Sequence, residues 1–375
     1  LRWGPGRIAP AAAGAPYSQG VFRHGSDSPV DWMQVGQSYC KARCGRWALA
    51  PSPPEMAPTG VLPAFLHRGL GGRFLAVFVD EESPAVYPDA AASYASVFCP
   101  SLQLVASTAS LIPYESETTD RLDLLRELDV PFSSGYFSFG LTHRHGVEQL
   151  QPNHHLDLRS WEAVRHGPGA RERGRLTVEE SAARVAEIIG RHVAAVLERH
   201  PAYLPITSGH DSRMILASAR SHRDELGLYT LRIPDANGAR DVYVAEHIAR
   251  RLGLDHQSIR MIKPDPADLE LWSYRSGGIV GEPRGRSVTT TLRSLDRTRV
   301  RFNGQVGDLL RAPNRIPGDT EETVIDAERV AIQALNEAGG ADYREKLTPG
   351  QREVATSPMF LERAERWLAG LGDVD

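Results

Sequence analysis

The sequence predicts an α/β protein in which a doubly wound parallel sheet follows an antiparallel amino-terminal α+β domain. Two observations carry this prediction. From residue 71 to about residue 158, short apolar runs are separated by brief turns, as in an antiparallel sheet. From residue 177 onward, apolar runs alternate with amphipathic helical patterns, as in a parallel sheet with crossover helices.

The first half of the chain divides into an irregular part and a sheet-forming part. Residues 1–65 are rich in Pro, Gly, Ala and Arg and show weak periodicity. Residues 66–160 form the expected first domain, with a helix around Leu122, Leu125 and Leu128. Its strands are predicted at residues 73–80, 84–87, 93–98, 102–107 and 155–158. The polar, Gly- and Arg-rich residues 161–176 are the expected linker.

Residues 177–375 form the expected second domain. Thr177 and Glu180 make a capping box for a helix reaching residue 199. Strands are predicted at residues 203–206, 228–233 and 257–262. Asp241 is expected to cap the helix between the last two strands, and Gly253 to end it. This βαβαβ order predicts parallel strands joined by right-handed crossovers.

Composition excludes several classes of protein. The chain has 375 residues, 41% of them hydrophobic and 24% charged, with a net charge of −4. These values are typical of a globular protein without an overall drive toward nucleic acid or anionic membrane. The three cysteines are too few for a disulfide framework. Neither a long apolar stretch nor a signal-peptide pattern is present, so a cytoplasmic location is expected. The chain starts with Leu1 rather than Met, and whether Leu1 is the true amino terminus stays open.

The segment Thr207-Ser208-Gly209-His210-Asp211-Ser212-Arg213 is the strongest functional signal. It lies between an apolar strand and a helix, where first-turn amides and the helix dipole form an anion cradle. The hydroxyls of Thr207, Ser208 and Ser212 add donors for phosphate oxygens. Asp211 is suited to a phosphate-bound Mg²⁺. The alternative is an ordinary structural turn in which the aspartate caps the helix.

A second turn of this kind follows the strand predicted at residues 300–303. Asn303-Gly304-Gln305-Val306-Gly307-Asp308 places glycines at a strand end and an acid after them. If both strands belong to one parallel sheet, the two turns face each other across its crevice. Asp211 and Asp308 would then hold one or two Mg²⁺ ions on a triphosphate. The alternative is a Gly-rich turn with Asp308 as a helix cap.

These two turns resemble the motifs of the asparagine synthetase family. The family loop Ser-Gly-Gly-x-Asp-Ser matches residues 207–212, with Thr207 for Ser and Ser208 for the first Gly. The later family loop, Ser-Gly-x-Gly-x-Asp-Glu, maps to residues 303–309. Upstream, residues 72–80, 105–107 and 147–152 resemble the amidotransferase domain of the same family. The resemblance covers roughly residues 71–311.

The resemblance implies a fold and a chemistry. The fold is a PP-loop domain of the adenine nucleotide alpha hydrolase-like type, preceded by an Ntn-hydrolase-like glutamine amidotransferase domain. The activity is an AMP-forming amide ligase that uses ATP and Mg²⁺ to make an acyl-adenylate for attack by ammonia or an amine. Asp211, Ser212 and Asp308 are the implied catalytic residues, and Asp211 and Asp308 the metal ligands. The implied ATP-binding residues are Thr207, Ser208, Gly209, His210, Asp211, Ser212, Arg213, Asn303, Gly304 and Gly307.

The implied partners are a small-molecule or peptide carboxylate and ammonia or an amine as donor, without nucleic acid or membrane. Whether the protein forms a homodimer stays open.

Departures from the family pattern raise alternatives. The family glutaminase uses an amino-terminal Cys, whereas this sequence starts with Leu1. Either the natural start lies upstream or the domain is an inactive scaffold, as in the β-lactam synthetase branch; the second alternative is the one expected. Leu309 replaces an acid. The alternatives are an intramolecular cyclase of β-lactam or lasso-peptide type and a catalytically degenerate nucleotide-binding scaffold.

Overall fold

A computed structural model describes residues 83–130, 137–166, 176–277, 282–303, 325–335 and 347–370, with six short strands between residues 3 and 78. Within these residues the chain is an α/β protein with one parallel sheet and several antiparallel sheets. The α/β class predicted from the sequence is therefore confirmed. No helix of the described ranges is long and apolar enough to span a bilayer.

The upstream unit is built from antiparallel strands. Two of its sheets face each other, one of six strands in the order β12-β11-β7-β6-β4-β5 and one of four in the order β10-β8-β9-β3. Val86, Phe98, Val105 and Leu156 form the buried core between these two sheets. The strands are β1 (Trp3–Gly4), β2 (Arg7–Ile8), β3 (Val21–Arg23), β4 (Trp32–Val35), β5 (Lys41–Ala42), β6 (Phe74–Phe78), β7 (Ala85–Pro88), β8 (Val97–Cys99), β9 (Leu104–Ala106), β10 (Glu148–Gln149), β11 (His154–Asp157) and β12 (Glu162–Arg165).

Strand β12 differs from the sequence expectation. Residues 161–176 were expected to form a linker, but residues 162–165 pair antiparallel with β11 and add an edge strand to the six-stranded sheet. The polar side chains of Glu162 and Arg165 suit an edge strand, and they hid it from a search for apolar runs. Residues 167–175 lie outside the described residues.

The downstream unit contains the parallel sheet. Its four strands are β13 (Ala202–Pro205), β14 (Leu226–Arg232), β15 (His256–Arg260) and β16 (Val300–Arg301), in the order β15-β14-β13-β16. All three neighbouring pairs are parallel. The chain moves outward from β13 to β14 and β15, then returns to the other side of β13 with β16. The strand order therefore reverses at β13.

Nine α-helices lie within the described residues. They are α1 (Leu122–Glu127), α2 (Val178–Leu197), α3 (His210–Ser218), α4 (Ala236–Leu252), α5 (Pro266–Ser276), α6 (Glu282–Ser294), α7 (Ala327–Leu335), α8 (Pro349–Thr356) and α9 (Pro358–Ala369). Thr177 and Glu180 form the predicted capping box of α2. Gly253 ends α4 with φ +66°, a left-handed conformation that favours glycine.

The last helices pack on the upstream unit. Phe360 of α9 is fully buried in one core with Leu124, Leu128 and Leu141 of the upstream half. Arg363 of α9 donates to Glu148 of β10 at 2.7 Å and to the Phe139 carbonyl at 3.1 Å. The carboxyl-terminal helices and the antiparallel unit therefore share one core.

Candidate functional site

The site predicted from the sequence lies at the carboxyl edge of the parallel sheet. Ile206, the first residue beyond β13, is fully buried, and its amide donates to the Tyr229 carbonyl at 2.8 Å. The hydroxyl of Thr230 donates to the Ile206 carbonyl at 2.6 Å. Tyr229 and Thr230 both belong to β14, so this strand fixes the position of Ile206. The first loop, residues 207–213, begins directly after Ile206.

A histidine supports this anchor from the next strand. Nε2 of His256 lies 2.9 Å from the Thr230 hydroxyl oxygen. Because Thr230 gives its only hydroxyl proton to the Ile206 carbonyl, His256 must donate from Nε2, which defines its tautomer. Burial lowers the pKa of His256, and the charge of Glu246 acts in the opposite direction. The protonated imidazole would keep the same donor, so this bond does not depend on the charge of His256.

Side chains bind the amides of the first loop itself. The Thr207 amide donates to the Ser212 hydroxyl at 3.2 Å, and the Gly209 amide donates to the Thr207 hydroxyl at 3.1 Å. The two hydroxyl oxygens lie 3.3 Å apart. Ser212 is buried, with 8% of its surface exposed. These bonds tie the backbone of the loop to its own side chains.

Ser208 is bound by a residue from another helix. Its amide and its hydroxyl both donate to one carboxylate oxygen of Asp241, at 2.9 and 2.5 Å. The prediction that Asp241 caps α4 is wrong. That helix begins at Ala236, where Asp235 is the N-cap and accepts from the Gly238 amide at 2.6 Å. The sequence predicted this helix but not its first residue. Because Asp235 is the cap, the Asp241 carboxylate is available to bind the loop.

The start of α3 bears on the alternative interpretation of the loop as a simple capping turn. Gly209 is the N-cap of α3 and contributes no side-chain cap, while Asp211 lies inside the first turn. Asp211 therefore is not the cap residue. The amides of the first turn have no acceptor within their own helix, and the positive end of the helix dipole favours an anion in front of them.

Arg213 and His210 lie on the outer side of this turn. Nε of Arg213 donates to the Gly209 carbonyl at 3.0 Å. Its Nη2 lies 3.1 Å from Nδ1 of His210, which must accept because a guanidinium only donates. Arg213 therefore braces the loop backbone and orients an exposed histidine at the mouth of the site.

Strand β16 brings the second sequence motif toward the first loop. Ala202 and Tyr203 of β13 pair in parallel with Val300 and Arg301. The Phe302 amide continues this pairing with the Tyr203 carbonyl at 2.9 Å. Asn303 follows directly and is exposed. Gly304, Gly307 and Asp308 lie outside the described residues, so the predicted meeting of Asp211 and Asp308 stays a prediction.

A cavity of about 460 Å³ lies at the carboxyl end of β14. It is open to solvent on one side and combines apolar with charged walls. Its lining residues are Arg232, Ile233, Pro234, Asp235, Ala239 and Val242. Because β13 and β14 are neighbours, this cavity and the first loop lie along the same edge of the sheet. A ligand with one planar, apolar part and one anionic part fits such a pair of features.

Sequence reasoning missed the residues that support the first loop. Thr230 interrupts the otherwise apolar strand β14 and is buried, with 2% of its surface exposed. A hydroxyl in such a strand indicates a buried hydrogen bond, and this signal was available in the sequence. Nothing in the sequence paired Asp241 with Ser208, which lie 33 residues apart.

The fold and site define a class: an α/β protein with a prospective ligand site at the switch point of a parallel sheet. Among the described residues, no cluster of three or more His, Cys, Asp or Glu side chains suits a metal ion. Comparison with models of known protein families finds no match. A search of curated proteins finds no relative either.

Proposed function

We propose that this protein is an ATP-dependent, AMP-forming carbon–nitrogen ligase of the asparagine synthetase type. It activates a carboxylate as an acyl-adenylate, which ammonia or an amine then opens. The observation that carries the proposal is the placement of two motif-bearing strand ends. β13 and β16 are parallel neighbours at the strand-order reversal, and each leads into one of the two loops that resemble family motifs.

The first loop supports a role in binding the pyrophosphate part of ATP. The first-turn amides of α3 and the helix dipole favour phosphate oxygens at this point. Thr207 and Ser212 add hydroxyls that are already oriented toward each other, 3.3 Å apart. One of the two hydroxyls donates to the other, so the pair offers phosphate one hydroxyl proton beside the first-turn amides. These positioned donors need little rearrangement as charge grows on the departing pyrophosphate. The cavity beside β14 offers space for the base and sugar.

Asp211 is the proposed metal ligand among the described residues. It lies in the first turn of α3, next to the prospective phosphate position. Mg²⁺ commonly takes one or two carboxylates and completes its shell with phosphate oxygens and water, so a single well-placed aspartate fits. The ion would neutralise charge on the phosphates. Asp308 is proposed as the second ligand.

The antiparallel unit is proposed to be an amidotransferase-like scaffold without glutaminase activity. Cys99, on β8, is a buried free thiol. It lies in the core on one face of the four-stranded sheet, with Val97, Ala106 and Val147. A buried apolar setting makes a thiol inert, so Cys99 is not a candidate nucleophile. The proposed nitrogen donors are free ammonia or an amine.

Isotope exchange between pyrophosphate and ATP tests the ligase proposal. The purified protein with Mg²⁺ is assayed over a panel of amino-acid and peptide carboxylates, and we expect exchange that depends on one carboxylate class. Asp211→Asn should lower that exchange on the order of 100-fold, because the charge that faces the phosphates is lost. Asp224→Asn is the matched control, since the Asp224 side chain is 93% exposed.

The results separate the alternatives. Carboxylate-dependent exchange supports the ligase, and the following assay with ammonia, amines or no added nitrogen donor distinguishes intermolecular amide formation from intramolecular cyclisation. Nucleotide binding without exchange for any carboxylate supports the scaffold alternative. The structure offers one observation in favour of that alternative: the loop amides of Thr207, Ser208 and Gly209 all bond to side chains. A protein that does not bind ATP contradicts both functions.

A further inference from the structure

The two bonds from Ser208 to Asp241 define a clasp between the first loop and helix α4. Both donors of Ser208, its amide and its hydroxyl, bind the same oxygen, Oδ1 of Asp241. We propose that Asp241 is a positioning residue that holds the first loop in the conformation that receives polyphosphate. This inference rests on the proposed function. It assigns Asp241 to the support of the loop and not to contact with the nucleotide.

The carboxylate comes from a firmly held element. Helix α4 is capped by Asp235 and ends at Gly253. Ala245 and Ala249 of the same helix are buried in the core beneath the parallel sheet, with Leu204 and Leu228. Asp241 precedes this buried stripe by one turn and is only partly exposed. A carboxylate on such a helix can hold a flexible loop because it does not itself move with the loop.

The backbone of Ser208 accepts its side chain without strain. Ser208 is not among the described non-glycine residues with positive φ. A Cβ at this position therefore costs little, although the resembling family motif has glycine there. The hydroxyl that comes with the Cβ supplies the second bond to Asp241. The replacement of glycine by serine and the presence of Asp241 thus act together.

The clasp completes a set of three internal bonds. The amide of Thr207 binds Ser212, that of Ser208 binds Asp241, and that of Gly209 binds Thr207. A Cβ at Gly209 would lie 3.2 Å from the Thr207 hydroxyl, a contact that would disturb the last of these bonds. These three amides therefore shape the loop, and the donors left for an anion are the first-turn amides of α3 and the one hydroxyl proton that the Thr207–Ser212 pair does not use internally.

Four variants test the clasp: Asp241→Ala, Asp241→Asn, Ser208→Gly and the control Asp224→Ala. Two quantities are measured on the full chain, amide hydrogen exchange of residues 207–209 without nucleotide and the Kd for a non-hydrolysable ATP analogue with Mg²⁺. Asp241→Ala should speed the exchange and raise the Kd, each about tenfold, the factor expected for losing a charge-assisted hydrogen bond. Asp241→Asn keeps an acceptor oxygen and should restore most of both.

Ser208→Gly removes one of the two bonds and should have a smaller effect than Asp241→Ala. Combined with Asp241→Ala it should add almost nothing, because both changes break the same contact. Unchanged exchange in Asp241→Ala overturns the inference. Tighter binding of the analogue by Asp241→Ala and Asp241→Asn also overturns it, since Asp241 would then compete with phosphate. If the native protein does not bind the analogue, the proposed function fails, whereas the exchange measurement still decides whether the clasp exists.

Discussion

The hydroxyl of Thr230 donates to the carbonyl oxygen of Ile206 at 2.6 Å, and this bond joins two neighbouring strands at the point where the first loop begins. Both residues are buried. The Thr230 hydroxyl, in the interior of β14, therefore helps to position the first loop, which begins directly after Ile206. His256 completes the arrangement by donating to Thr230.

Replacement of Thr230 tests the contribution of this anchor. Thr230→Val keeps the shape of the side chain but leaves the Ile206 carbonyl and the His256 donor without their partner. We expect the free energy of unfolding to fall by about 1–3 kcal/mol, the cost of leaving buried polar groups unsatisfied. Urea denaturation measures this change. Thr230→Ser keeps the hydroxyl and should lose much less; equal losses in the two variants would contradict the anchor.

Arg144 should be the most sensitive polar residue of the antiparallel unit. Its side chain is fully buried and donates to the carbonyls of Ala109, Ile112, Pro113 and Thr118. Arg144→Met removes all these donors at once, so we expect a loss of at least about 3 kcal/mol in the free energy of unfolding. Arg126→Met is the control, because the Arg126 side chain is 70% exposed and should change stability little. Comparable losses of stability in the two variants would contradict this role of Arg144.

Phe360 tests the packing of the carboxyl-terminal helices on the upstream unit. It is fully buried, and its ring meets that of Phe139 edge-on at 5.1 Å between centroids. Phe360→Ala should cost about 3–5 kcal/mol through the cavity it leaves. Hydrogen exchange should rise in residues 122–128, far away in sequence. Leu122→Ala, at a 66% exposed side chain, is the control. Exchange unchanged at 122–128 would mean that the two parts do not share a core.

Stability should fall as the solution becomes acidic. Five histidines have pKa values lowered chiefly by burial: His143, His145, His154, His192 and His256. Because their usual pKa is 6.5, the unfolded chain binds more protons than the folded protein below that pH. The stability that these neutral imidazoles contribute is present above pH 6.5 and is lost as the pH falls from there through their folded-state pKa values. Thermal unfolding at a series of pH values measures the trend.

His143 should account for part of this pH dependence. Its Nδ1 is buried and has no hydrogen-bond partner among the described residues, so a proton added there would lack an acceptor. Burial lowers the pKa of His143 most and Arg144 lowers it further, while Asp120 and the Gly277 backbone oppose them. His143→Gln should flatten the fall of melting temperature with acid. His247→Gln, on the exposed side of α4, should leave the slope as it was; a steeper slope in His143→Gln would reverse the assignment.

Elements with local sequence signals were predicted well. Thr177 and Glu180 act on amides within one turn of themselves, and Gly253 ends α4 through its own backbone conformation, so neighbouring residues suffice to predict both. Helical spacing likewise predicts a buried stripe on α4 at Val242, Ala245, Ile248, Ala249 and Leu252, and Val242, Ala245 and Ala249 are buried. In α2, helical spacing predicts one apolar face that includes Val178 and Val193; Val193 is buried, whereas Val178 is 80% exposed.

The sequence by itself determined the α/β class, the strand-to-helix turn at residues 207–213, the capping box of α2 and the glycine that ends α4. These features depend on interactions over a few residues, which composition and spacing express directly. Only the tertiary structure decided that Asp241 binds Ser208, that Arg144 is buried among carbonyls and that α9 packs on the upstream unit. Each of these contacts joins residues far apart in the chain. Their energy depends on burial and distance, and neither exists until the sheets and helices have packed.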